Sequence, residues 1–161
     1  FRMIGRNGYH LMTLPWIGSN PEQRPRIEVY LKSLREAGYS EDDHDVFVMY
    51  PAYVGEDDRQ ARGDVEEAWH RWREFALDEV RLDPARAPMV PKIYERLAYD
   101  AMVQDSRAVF GGPETCIEHL RLIRDVVGPT HIGLCFHLGG LEQKKVLASM
   151  ERFSRYVAPA F

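Results

Sequence analysis

The sequence predicts an α/β fold built on parallel strands, and three observations predict it. Short apolar runs of strand length recur at about residues 9–14, 45–54 and 131–138. Amphipathic helical stretches separate them, and Gly, Pro or Asn marks most junctions. Strands alternating with helices pair in parallel through right-handed crossovers. At 161 residues the chain suffices for one domain, 1–161, with its own core.

Residues 1–8 read as the tail of a helix punctuated by Gly5 and Gly8. Tyr9-His10-Leu11-Met12-Thr13-Leu14 is a buried strand closed by Pro15. Asn20-Pro21-Glu22-Gln23 then offers an N-cap, a proline in the first turn and a Gln at the capping-box position. Ile27, Tyr30, Leu31 and Leu34 follow at helical spacing, with Gly38 as the stop. The second strand, Val46 to Val54, contains Pro51, which predicts a bulge, an irregular end or a free edge.

Glu56-Asp57-Asp58 places negative charge at the start of the next helix, where the dipole favours it. Its apolar stripe runs Ala61, Val65, Ala68, Trp69, Trp72, Ala76 and Val80. Pro84, Pro88 and Pro91 mark an irregular connection into a shorter helix carrying Ile93, Tyr94, Leu97, Ala98 and Met102. Gly111-Gly112-Pro113-Glu114-Thr115 opens another helix, which Gly128 ends. After the third strand, Gly139-Gly140 turns into a last helix with Val146, Leu147, Met150, Phe153 and Val157 inward.

Composition excludes several classes. A net charge of -4 with interleaved signs gives no footprint for nucleic acid or an anionic membrane. No apolar run approaches the roughly 18 residues of a membrane span. Two cysteines, Cys116 and Cys135, make no disulfide framework, and the reading is a reducing cytoplasm. No GxGxxG follows a strand, no P-loop is present, and Ser149 and Ser154 lack a nucleophile elbow.

Several segments together resemble the luciferase-like monooxygenase family. Tyr53-Val54-Gly55-Glu56-Asp57-Asp58-Arg59-Gln60-Ala61 looks like the family's late strand running into an acidic helix start. Val109-Phe110-Gly111-Gly112-Pro113-Glu114-Thr115-Cys116-Ile117 is similar to its Gly-x-Pro-Glu helix opening. Met150-Glu151-Arg152-Phe153-Ser154-Arg155-Tyr156-Val157-Ala158-Pro159-Ala160-Phe161 resembles its closing helix. The resemblance implies the C-terminal part of a flavin-dependent (β/α)8 barrel, here a partial TIM barrel with three parallel strands. It also implies FMN, or alternatively a deazaflavin coenzyme, and a monooxygenase that turns reduced flavin and oxygen on a small organic substrate. Such a barrel needs eight strands and about 250 residues. The expectation is therefore a fragment that is inactive alone, lacking the flavin-phosphate loop, with open sheet edges that favour a homo-oligomer. The alternative is a non-catalytic half-barrel serving oligomerisation or ligand binding.

In a barrel, chemistry collects at the C-terminal ends of strands. Those ends are Pro15-Trp16-Ile17-Gly18, Tyr50 to Val54, and His137-Leu138-Gly139-Gly140. Trp16 could wall a flavin or an apolar substrate, or be a core aromatic. His137 could donate a hydrogen bond or proton near a flavin, or be satisfied by backbone. Gly139 and Gly140 permit close backbone approach to a ligand, or make a plain turn. Cys135 and His137 share a strand face, and Cys116 and His119 a helix face, but neither spacing suits zinc, so no metal is expected. Trp69, His70, Arg71, Trp72 and Arg73 mix aromatic and basic groups, yet the rings fall on the apolar stripe of a packed helix.

Overall fold

The computed structural model describes residues 1–16 and 18–161; Ile17, assigned above to a strand end, lies outside the described residues. The elements run α1 (Arg2–Arg6), β1 (Leu11–Thr13), α2 (Asn20–Glu36), β2 (Val46–Val54), α3 (Asp58–Leu82), α4 (Val90–Arg96), α5 (Tyr99–Gln104), β3 (Val109–Gly111), α6 (Pro113–Val127), β4 (His131–Cys135) and α7 (Gln143–Arg152). A π turn, Phe153–Val157, continues the last helix.

All strand pairs are parallel, and β2 is the hub. Its first half pairs with β1 (Leu11 opposite Val46) and with β4 (Phe47 opposite His131). Leu11 N–H donates to the Asp45 carbonyl and Thr130 N–H to the Val46 carbonyl. Successive carbonyls of a strand point to opposite sides, so β1 and β4 flank β2. The end of β2 pairs with β3 (Ala52 opposite Val109). The three strands expected from sequence are thus four. The added one, Val109–Gly111, is three residues long, too short a run to carry a periodicity in sequence. The third predicted strand also stops at Cys135, three residues early.

Pro51 sits inside β2, opposite Cys135. By the same alternation its nitrogen points to the β1 side. β1 has already ended opposite Val48 there, so no ladder bond is lost. The free edge expected at this proline is local, and the strand runs on without a break.

The sheet is covered on both faces, by different elements. Leu11, Val46, Val48, Tyr50, Ala52, Val54 and Val109 pack against Ile27, Tyr30 and Leu34 of α2 and Cys116, Leu120 and Ile123 of α6. On the other face, Tyr53 and Phe110 near the strand ends pack under Val65, Ala68, Trp69 and Leu77 of α3, with Ile93 and Met102. Farther down that face Met12 is 63% exposed, and Phe47 and Met49 are half-buried.

Helix boundaries follow local chemistry, with three shifts from the sequence reading. The cap of α2 is Ser19, one residue early, and its N–H donates to Glu22 at 2.7 Å. That shift turns Asn20 from a cap into a buried polar residue. The helix expected from Ile93 to Met102 breaks between α4 and α5, where Ala98 is extended and the Leu97 carbonyl accepts the Trp69 indole N–H at 2.7 Å. In α7, Leu147 and Met150 face solvent, Val146 is inward as expected, and the other buried residue is Ser149. The Val54 N–H donates to its hydroxyl at 2.7 Å, just past the stretch where β4 supplies ladder partners. The predicted stops hold: Gly128 ends α6 in the left-handed conformation, φ 64°, and Gly38 follows α2 at φ 85°.

Candidate active site at the strand ends

Because the sheet is parallel, the C-terminal ends of its strands gather at one end of the molecule. Trp16 follows β1, Gly55 to Asp58 follow β2, Gly111-Gly112 end β3, and Phe136 to Gly140 follow β4. α3, α4 and α5 lie against this end.

Trp16 is half-buried and part of an aromatic cluster. Its ring meets Trp72 edge-on at 4.5 Å, and Trp72 stacks on Trp69 at 4.5 Å. Trp69 in turn meets Phe110 of β3 at 5.7 Å. The stripe at residues 65–77 of α3 carries this cluster, as the spacing predicted, although Arg73 and Leu77 replace Ala76 and Val80 as its buried members. Trp16 and Trp72 line an apolar groove of about 350 Å³ with Leu77, Val80, Ile93 and Leu97.

Two polar devices hold the loop that carries Trp16, and the sequence reading missed both. Arg107 is buried and donates to the Trp16 carbonyl at 2.8 Å and the Arg96 carbonyl at 2.6 Å. Burial works against its charge, and Asp105 at 3.0 Å offsets part of that cost. Below it, Tyr50 OH donates to Asn20 Oδ1 at 2.9 Å, while Asn20 Nδ2 donates to the Asp105 and Ser106 carbonyls. The only hint in sequence was an arginine directly before the apolar triplet Ala108-Val109-Phe110.

The acidic turn after β2 locks onto the Gly-Gly-Pro-Glu turn after β3. Asp58 accepts from the Gly112 N–H at 2.7 Å and from the Thr115 hydroxyl at 3.0 Å. A Cβ on Gly111 would lie 2.8 Å from the Asp58 carboxylate. Asp57 caps α3 by accepting from Gln60 N–H at 2.7 Å. Carboxylates therefore occupy the N-termini of both α3 and α6.

The remaining sequence candidates separate. His137 is exposed, and Gly140 (φ 75°) opens onto free space. Gly139 has a structural reason: a Cβ there would lie 1.7 Å from the Ala68 carbonyl oxygen, and the Arg71 guanidinium donates to the Gly139 carbonyl at 3.1 Å. It is glycine so that the loop can press on α3. Cys135 is half-buried and beside His137, its thiol 3.6 Å from that residue's carbonyl. Cys116 is buried among backbone carbonyls, and burial pushes its thiol up to about 12. Its helix neighbour His119 is held neutral by burial, its Nδ1–H donating to the Ala108 carbonyl at 3.1 Å. Among the described residues no group of three His, Cys, Asp or Glu side chains could hold a metal ion.

No protein-family model and no curated protein matches the sequence. Solved structures do match its fold. The monooxygenase RslO1 from Streptomyces bottropensis superposes with a TM-score of 0.75 at 20% identity, over 98% of this chain and 44% of its own. The oxygenating constituent of a 3,6-diketocamphane monooxygenase from Pseudomonas putida, a type II Baeyer-Villiger enzyme in complex with FMN, gives 0.67 at 18% identity, over 99% of this chain and 45% of its own. The chain has the luciferase-like fold. Flavoprotein 390 shares it at a TM-score of 0.59 and 15% identity, over 96% of this chain and 60% of its own. The chain thus spans less than half the length of the two monooxygenases, and its parallel sheet with flanking helices is a partial barrel. No described helix is long and apolar enough to cross a membrane.

Flavin can be tested against these residues. The strand ends offer what a flat, apolar ring system needs: the half-buried Trp16 ring, and the open backbone at Gly140. A flavin phosphate fits less well, because Asp57 and Asp58 already fill the two helix N-termini nearest the strand ends. The described residues suit a flavin's ring and supply no grip for its phosphate there.

Proposed function

We propose that this chain is the C-terminal arc of a flavin-dependent oxidoreductase, a monooxygenase of the luciferase-like kind acting on a small organic molecule. The observation that carries the reading is the match of nearly the whole chain to monooxygenase folds, with an aromatic, partly open wall at the strand ends. A bound FMN, or a deazaflavin in its place, would supply the redox chemistry with oxygen. Trp16 would wall the ring system, the Gly140 backbone would allow close approach, and His137 would offer a hydrogen bond or proton at the mouth. α3 to α5 would exclude water from above. Two free cysteines suit a reducing compartment such as the cytoplasm.

The test is flavin binding and turnover by this chain. FMN fluorescence and equilibrium dialysis should show weak binding that Trp16→Ala reduces, and reduced flavin should not support oxygen-dependent oxidation of added aldehydes or ketones. Complete absence of FMN binding at millimolar concentration would remove the flavin reading. Multiple turnovers by the pure chain would overturn the inactive-arc part.

A second reading is favoured by the exposed strip at β1. Tyr9, Met12 and Leu14 are exposed in or beside β1, a strand that among the described residues pairs with β2 alone, which suits a module that binds a second copy of itself. Light scattering tests it. A concentration-independent monomer would count against self-association.

A further inference from the structure

We propose that the groove between Trp16 and helices α3 and α4 is a binding site for a neutral, apolar small molecule bearing one hydrogen-bond acceptor, and that the Trp16 indole N–H is the donor that orients it. The proposal rests on the reading of this end as the substrate side of a flavin oxygenase.

The groove has the size and lining of a small-ligand site. Its volume of about 350 Å³ is at the low end of the range in which such pockets occur. Trp16 and Trp72, perpendicular at 4.5 Å, make one end, and Leu77, Val80, Ile93 and Leu97 add aliphatic surface. Phe75, 71% exposed on the same stretch of α3, extends the apolar rim. Among the described lining residues the one ionisable group is Glu79, which repels an anionic ligand, and the apolar remainder of the wall favours an uncharged one.

The donor distinguishes this groove from a packing defect. The deeper tryptophan of the cluster, Trp69, has its indole N–H bonded to the Leu97 carbonyl at 2.7 Å. The Trp16 N–H is also withdrawn from water, yet no described residue accepts from it. Buried donors are nearly always paired, and one left over on a ring that lines an apolar groove points to an acceptor from outside the chain. The Arg107 guanidinium holds the residue in place by donating to both the Trp16 carbonyl and the Arg96 carbonyl at the end of α4. Its ring is therefore presented on a braced loop, as an orienting group must be.

A pair of probes of equal shape separates donor from groove. Cyclohexanone carries the acceptor, and methylenecyclohexane replaces it with a carbon. Binding is followed on ¹⁵N-labelled protein through the indole signals of its three tryptophans, Trp16→Phe assigning the first and the other two reporting that the fold persists. Cyclohexanone should shift the Trp16 indole N–H and bind roughly five- to tenfold tighter than methylenecyclohexane, the usual range for one hydrogen bond. In Trp16→Phe the two should bind equally. Equal affinities in the natural sequence, or a Trp16 signal that ketone leaves unmoved, would overturn the proposal. The probes are added without flavin, so failure here leaves the separately measured flavin binding intact.

Discussion

Gly139 shows how much one absent methyl group decides. Its φ of 50° is in the left-handed region, and a Cβ would meet the Ala68 carbonyl at 1.7 Å. Gly139→Ala must push the β4–α7 loop off α3, and should cost about 2–4 kcal/mol by urea unfolding, strain and overpacking together. Gly140→Ala, at φ 75° with nothing near, should cost only about 1 kcal/mol. Equal losses at the two positions would refute this account. The cysteines make a second pair. Burial raises the Cys116 thiol to about 12, whereas Cys135 is half-buried. Iodoacetamide at pH 8 should label Cys135 alone, with Cys116 reacting only after denaturation, as mass spectrometry would show. The residue types at the strand ends were legible in sequence because strands and helices alternate. The partners were not: that Gly139 presses on Ala68, or that Arg107 reaches Trp16, depends on contacts 71 and 91 residues apart in the chain.

Among elements, α3 and α7 are tied by Tyr53, Asp64 and Lys145. Tyr53 OH donates to Asp64 at 2.9 Å, and Lys145 Nζ lies 2.6 Å from the other carboxylate oxygen. Burial opposes ionisation of Asp64, but the hydrogen bonds from Lys145 and Tyr53 outweigh it and hold the carboxyl below its usual range. A carboxyl depressed on folding contributes stability that is fully present above its unfolded value. That contribution is lost as pH falls through the folded value. Lys145→Met should therefore cost about 1 kcal/mol near neutral pH, discounted for the partly exposed lysine, and little once Asp64 is protonated in strong acid. Unfolding free energies across pH 2–7 check both. Helix existence was readable from 3.6-residue periodicity. The boundaries that moved did so where tertiary partners intervened: the Leu97 carbonyl turned toward Trp69, and Ser149 replaced a strand partner for Val54. β3 was invisible because three residues have no period.

For the molecule as a whole, the deciding feature is an unequal covering of one sheet face. α3 to α5 shield that face at the strand ends, while Met12 remains exposed and Phe47 and Met49 half-buried lower down. The sequence showed that three predicted strands could not close a cylinder; it could not show which half of the face α3 would shelter, because that depends on where a 25-residue helix leans. Among the described residues β1 pairs with β2 alone, which leaves its outer edge open to recruit another strand. Exposed Tyr9, Met12 and Leu14 add apolar area beside that edge. Edge and patch together predict association that rises with protein concentration. Met12→Lys places a charge on the exposed strip without touching the core, since Leu11, not Met12, faces α2. It should leave the unfolding midpoint within about 0.5 kcal/mol of the parent. It should also lower the weight-average mass measured by light scattering at high concentration. If mass stays high in Met12→Lys, the contact lies elsewhere; if the parent is monomeric throughout, the free edge of β1 recruits nothing.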